Sequence, residues 1–501
     1  MKKKLPTASV AALLLVSLPL TAVLAGCKGA ASEPAWTEPV EIVTLPELTI
    51  PEKPDERSYT DLSPYSERID TLFANAAPTP AENFTYTVVG EGTPDPTFEG
   101  TVTITGYTGG DIVVVIPDTI EGRSVTVIAE NAFADKTFIE AISVPDTVLS
   151  IGKGAFKGCK SLKSLRTPIV TCADAPFFGA LFGADSFESN YTVPSELSTL
   201  VISSLKAPQG VEMVHPGLVI PKTAFYNCRS LEVIALPADA CEIGDFAFYG
   251  CQSLAYIRTA ETRLTSVGRN AFTNCSSLLT LHLPATVETL GFAMLEGCGK
   301  LESLTLPFAG GHRVGDPPAE EGTNGVNATY LGYLFGASDH TLTEGFIPPS
   351  LISVTLQDAC GDVPPNAFYE CSPIREIALP EGVTAIGRRA FYGCEGLSDM
   401  SLPNSVTTVG DDAFGGCIRL TAFTGGEGLQ TLGTQAFMNC ISLRTAIFPD
   451  TVTHLPNSCF AGCASLKSLT ANGVTTQGKQ VFRHCHKLGA PWVETATEVS
   501  P

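Results

Sequence analysis

Apolar positions recur along most of this chain in a frame far longer than the period of about 3.6 that marks a helix face or the period of about 2 that marks a strand face. The frame reads Ala-Phe-x-x-Cys-x-x-Leu-x-x-Ile-x-Leu-Pro-x-x-Val-x-x-Ile-Gly. Its Phe-x-x-Cys-x-x-(Leu/Ile) part is held by eleven cysteines, as in Phe248-Tyr-Gly-Cys251-Gln-Ser-Leu254, with Leu295 replacing the Phe once. From Cys371 the steps to Cys394, Cys417, Cys440 and Cys463 are 23 residues each, and the step to Cys485 is 22. A fixed period of this length predicts a solenoid, in which each repeat buries its apolar side against its neighbours.

Each fixed position has a physical reason. In the unit that starts at Cys371, Ile374, Ile377 and Leu379 have the spacing of a short parallel strand that points these side chains into the stack. Pro380 closes that strand, because proline has no amide hydrogen for the ladder, and the same proline returns as Pro145, Pro168, Pro237, Pro284, Pro307, Pro403 and Pro449. Val383 and Ile386 line the return leg. Gly387, like Gly152, Gly244, Gly268, Gly291, Gly410 and Gly433, is expected to permit a tight turn with positive φ. Phe391 then opens the next unit with a ring that can plug the convex side of the core.

This motif resembles the BspA-like leucine-rich repeat family, also called the Treponema-type repeats, found mainly on microbial surfaces. The resemblance covers roughly residues 83–488. It implies a leucine-rich repeat solenoid: a right-handed superhelix with a parallel β-sheet on its concave face and short helical or irregular convex segments. Residues 83–128, with Gly100-Thr-Val-Thr-Ile-Thr-Gly-Tyr-Thr-Gly-Gly110, resemble the usual entry into such arrays and are expected to form an N-terminal cap. The solenoid proper then spans 129–488, beginning with a unit that carries Lys136 at the cysteine position, and 489–501 is a tail. Atypical end units are expected of a stack. Adhesion to host matrix proteins, receptors, glycans or other microbes is what the resemblance implies about function. A structural spacer without a specific ligand, or a carbohydrate-active enzyme sited in an insertion, are the alternatives.

Two intervals break the period. Cys159 to Cys228 is 69 residues and Cys298 to Cys371 is 73, and the two insertions share Leu181-Phe-Gly-Ala184 and Leu334-Phe-Gly-Ala337. Each is expected to add one variant strand. The parts outside that strand, near 165–192 and 308–346, carry clustered aromatics and are expected to project from one edge, where loops on a rigid scaffold tend to bind. Tyr330, Tyr333 and Phe335 are the candidates there. On the sheet, positions four, five and seven after each cysteine are expected to face outward, which gives Glu232, Val233 and Ala235, then Ala255, Tyr256 and Arg258, then Leu279, Thr280 and His282. Of these, Tyr256, Arg258 and His282 are the candidate ligand contacts.

The N-terminus predicts location. Lys2, Lys3 and Lys4 precede an apolar run ending in Leu24-Ala-Gly-Cys27, so 1–26 reads as a secretory signal peptide with a bacterial lipobox and Cys27 as the lipidation site. Two or more acyl chains would anchor the chain to a membrane. Residues 27–82, rich in proline and acidic side chains, are expected to form an extended stalk, with a short helix allowed near 65–74. The protein is then extracytoplasmic, lipid-anchored to the bacterial membrane, surface exposed and monomeric.

Net charge narrows the partners. A formal charge of −21 opposes nucleic acid binding, which needs a basic footprint. In the repeat frame the cysteines stand at inward positions and are expected to be mostly free and buried, with Cys459 and Cys463 the pair to test for a bridge. No G-x-S-x-G elbow, H-E-x-x-H helix or phosphate loop is present, so no catalytic residues, metal or cofactor are expected.

Overall fold

The computed structural model describes residues 59–90, 100–172, 174–208, 217–312, 328–489 and 492. Cys27, the signal sequence and the expected stalk up to residue 58 lie outside the described residues. So do residues 490–491 and 493–501 of the tail.

One short strand per repeat builds the concave sheet. Among the described residues fourteen such strands stand in order, in hydrogen-bonded blocks of six, four and four. Every pairing within the blocks is parallel and in step, so that Val233 lies between Thr199 and Tyr256, and Leu304 between Leu281 and Val354. Single bonds join the blocks, from the Leu279 amide to the Ala255 carbonyl (3.1 Å) and from the Ser398 amide to the Arg375 carbonyl (3.3 Å). The Val-x-x-Ile-Gly legs form a second set of parallel ladders, for example Ala240–Ile243, Ser266–Val267 and Thr289–Leu290. At the N-terminal end Phe84–Val89 pairs antiparallel with Thr101–Tyr107, which continues in parallel with Arg123–Ile128. That arrangement covers the first turn.

The phenylalanines form an inner column that is interrupted where Leu295 replaces the ring. Phe368, Phe391, Phe414, Phe437, Phe460 and Phe482 are stacked, with successive ring centroids 5.0–5.8 Å apart. Backbone bonds hold the same arc, since Phe amides donate to a carbonyl one turn on, as Phe391 to Ala413 and Phe414 to Ala436 (both 2.8 Å). Beside the rings runs a column of thiols. The Cys394, Cys417, Cys440 and Cys463 sulfurs donate to the carbonyls of Phe368, Phe391, Phe414 and Phe437, at 3.0–3.1 Å. Cysteine is thus small enough to fill the space and polar enough to satisfy a buried acceptor. Burial pushes these thiols upward, to about 12 for Cys251, Cys298 and Cys394. All fifteen described cysteines are free, Cys459 and Cys463 included, and only Cys241 is partly exposed.

The glycines work differently from the expectation. Gly152, Gly244, Gly268, Gly291, Gly387, Gly410 and Gly433 do not have positive φ. They are required by proximity: a Cβ on Gly433 would stand 2.3 Å from the Asp411 nitrogen, and one on Gly291 2.3 Å from the Arg269 nitrogen. The left-handed residues lie instead on the convex arc, two per turn, as Arg389 and Gly393, Asp412 and Gly416, Gln435 and Asn439.

The insertions add strands Thr199–Ile202 and Ser353–Leu356, each seated between its neighbours. Tyr191 and Phe346 are exposed, but the central aromatic segments do not project. Phe178–Phe182 and Leu331–Phe335 are 3-10 turns that take the place of a convex arc, and all ten residues are buried. Phe178 meets Phe225 at 4.9 Å, and Phe182 meets Phe156 at 6.1 Å, so the first insertion continues the ring column. An apolar cluster that can replace a missing arc buries more surface inside the stack than at its edge.

Candidate functional site

The concave face is the broad polar surface that the fold presents, and across part of it runs a segment that the sequence placed in a stalk. Residues 59–79 form a strap across this sheet. Tyr59 donates to Glu376 (2.9 Å), and Thr60 donates through its amide and hydroxyl to Glu302 (2.9 and 2.7 Å). A nine-residue helix, α1 (Ser63–Thr71), with proline in its first turn, then lies over strands Thr199–Ile202 and Val233–Ala235. Beyond it, Thr79 exchanges hydrogen bonds with the backbone of Val115, the amide of Thr79 to the carbonyl at 2.8 Å and the amide of Val115 to the hydroxyl at 3.1 Å.

The helix is seated by Ile69, by Tyr65 and by two arginines. Ile69 is its only buried residue and packs on Val233 and Ala235, with Val201, Tyr65 and Tyr256 around it. Covering such a side chain contributes roughly 1.5–3 kcal/mol. Arg68 reaches Glu232 (2.9 Å), Ser198 (2.9 Å) and Thr199 (2.6 Å). From the sheet, Arg258 reaches back to Asp70 (2.8 Å) and to the Ser66 hydroxyl (2.9 Å). That guanidinium bond lowers the Asp70 carboxyl and raises Arg258. Both ion pairs stay partly open to water, which screens them.

The candidate residues therefore separate. Tyr256 is stacked on Tyr65 with centroids 6.2 Å apart, and Arg258 is engaged by the strap, so both are occupied within the chain. His282 lies exposed on its strand near Gln357 (3.2 Å between nitrogens), with its pKa lowered by desolvation. Tyr330, Tyr333 and Phe335 are buried at 3%, 6% and 2% exposure, and Tyr330 donates to the Ala337 carbonyl (2.9 Å), so these three are core residues and not ligand contacts. The missed element had a signal. Val233 and Ala235 were assigned to the outward face, and two adjacent apolar side chains on a concave strand call for a cover.

Past Glu376–Ala378 no described residue of the strap lies on the sheet. Strands Asp399–Ser401, Ala422–Thr424, Thr445–Ile447 and Ser468–Thr470 form that open part, where Ile447 is 48% exposed. Charge changes along with cover. Residues 451–493 contain no aspartate or glutamate in a chain that has 52, while Lys467, Lys479, Arg483 and Lys487 in that stretch are all exposed. Among the described residues none of these four forms an ion pair, unlike Arg68, Arg166 and Arg258. Among the described residues there is also no cluster of three or more side chains able to hold a metal. No helix among them is long and apolar enough to cross a membrane.

A parallel sheet with one strand per turn, a ring column and a convex arc of tight turns define a leucine-rich repeat solenoid. The chain belongs to the BspA-type leucine-rich repeat family, whose sequence model matches residues 123–180, 203–310 and 350–489 in six copies. Among solved structures, it resembles a leucine-rich repeat protein from Bacteroides ovatus, at 21% identity over 82% of this chain and 81% of that one, with a TM-score of 0.29. It also resembles a leucine-rich cell surface protein from Faecalibacterium prausnitzii, at 22% identity over 79% and 95% with a TM-score of 0.31. A third is the pneumococcal vaccine antigen PcpA, at 19% identity over 83% and 88% with a TM-score of 0.26. No curated protein matches the sequence.

Proposed function

We propose that the protein is a surface-displayed, lipid-anchored binding scaffold that holds an acidic protein or glycan on the C-terminal part of its array. The observation that carries this is that the last open concave strand, Ser468–Thr470, lies within the acid-free stretch 451–493, whose four basic side chains are exposed, in a chain of formal charge −21. Opposite charge on a partner would steer it to this end and away from the rest of the molecule. Burial of Phe178–Phe182 and Leu331–Phe335 supports display and binding over a catalytic site built on those segments.

A panel of matrix proteins, sulfated glycans and neutral glycans, titrated against residues 59–501, tests the binding. Saturable binding to an acidic member is expected, weakened about tenfold or more by Lys467→Glu with Lys487→Glu and by raised salt. Absence of saturable binding to every member, or indifference to the two substitutions, would overturn it. The anchor has its own test. Cys27→Ser, expressed with its signal sequence, is expected to leave the membrane fraction and appear as a soluble exported protein. Unchanged retention in the membrane fraction would rule lipidation out.

A further inference from the structure

The strap is an occupant, and the surface it occupies has the features of a receptor groove. At one end two carboxylates, Glu376 and Glu302, accept from the Tyr59 and Thr60 donors. In the middle Val233 and Ala235 make an apolar seat on which Ile69 lies, with Tyr65 packed beside it. Flanking that seat, Glu232, Ser198 and Thr199 converge on one guanidinium, and Arg258 supplies the opposite charge.

The occupant is held loosely. A free helix of nine residues is too short to persist alone, and the first turn of α1 is held only by the exposed Asp61, which accepts from the Ser63 amide (2.9 Å). Open clefts of about 380 Å³ and 580 Å³ lie along the strap. The first lies between Tyr59–Leu62 and the sheet at Leu279, Glu302 and Ser353, the second between Leu72–Ala76 and the sheet at Val113 and Ala141. Elements with few buried contacts open at the low end of a protein's local stability range.

We propose that the concave groove from Ser198 to Glu376 is a peptide-binding site that the chain keeps closed with residues 59–79. A partner segment of the same chemistry enters by displacing the strap. That segment is an extended stretch with tyrosyl and threonyl donors, followed by a short helix that presents an adjacent arginine and aliphatic residue. This site is separate from the basic end and stands whether or not that end binds a partner. Closure lowers the apparent affinity for such a segment by the fraction of time the groove is open, so a strap open about 1% of the time weakens it about 100-fold.

The test uses a fluorescent peptide of residues 59–79 and the full chain. Arg68→Glu with Ile69→Asp in the chain is expected to release the strap, and this variant should bind the peptide at least about tenfold more tightly than the unaltered chain does. The peptide carrying the same two substitutions should not bind. A Glu232→Arg change in the strap-released chain should restore binding of an Arg68→Glu peptide, which a nonspecific effect of unfolding would not do. The outcome that overturns the proposal is a strap-released chain that keeps the unfolding transition of its repeats and fails to bind the peptide. Equal binding to the released and unaltered chains overturns it as well, since the strap would then not be closing the groove. Should the double variant not fold, Ile69→Ala alone is read by the same two criteria.

Discussion

Phe437→Ala is expected to destabilise the array by about 3–5 kcal/mol, the ordinary cost of deleting a fully buried aromatic ring. Phe437 has no exposed surface and lies among four other rings, stacked on Phe414 (5.4 Å) and Phe460 (5.3 Å) and edge-on to Phe423 (4.6 Å) and Phe448 (5.9 Å). Its removal leaves a void that flanking turns cannot close without breaking their own hydrogen bonds, such as Phe437 amide to Cys459 carbonyl (2.9 Å). A stack couples each turn only to its neighbours. Protection against amide exchange should therefore fall first around Phe414 to Phe460 and least near Phe133. Urea unfolding gives the size of the effect and exchange gives its place. A loss under about 1 kcal/mol, or uniform loss of protection, would contradict the ring column as the source of cohesion.

Gly433→Ala is expected to cost about 1–3 kcal/mol or more, although a glycine-to-alanine change at a compatible site usually stabilises. The new methyl would stand 2.3 Å from the Asp411 nitrogen and 2.3 Å from the Gly410 carbonyl carbon, and both are backbone atoms that cannot swing aside. Two turns must separate to admit it. Gly110→Ala is the control, since a Cβ there meets nothing within 4 Å, and it should stay within about ±0.5 kcal/mol. Equal stability of the two variants would show that close approach is not why the glycine column exists.

Those glycines show where sequence reasoning reaches its limit. The period, the strand positions, the closing prolines and the inward cysteines were legible, because each follows from a local pattern repeated many times. The glycine column was legible as a column, yet its cause was assigned to backbone φ when it lies in a neighbouring turn 23 residues away. Tyr330, Tyr333 and Phe335 failed for a related reason: outside the frame, aromatics look like loop residues, and only the gap left by a missing arc shows where they pack. Tyr256 and Arg258 were placed on the correct face. What the pattern lacked was the strap, whose sequence has no repeat to mark it, although Val233 and Ala235 beside one another hinted at a cover.

The strap runs against the order of the turns, beginning at Glu376 and ending at Val115. A pull on the N-terminus would thus load Tyr59 and Thr60 first, then Arg68 and Ile69, then Thr79, breaking small groups of contacts in series while the repeats bear little tension. Peeling residues 59–79 would pay out roughly 70 Å of chain at about 3.3–3.6 Å per residue. Were the N-terminus tethered through the proposed lipid at Cys27, the strap would act as a mechanical fuse that lengthens the leash before any turn of the stack is strained.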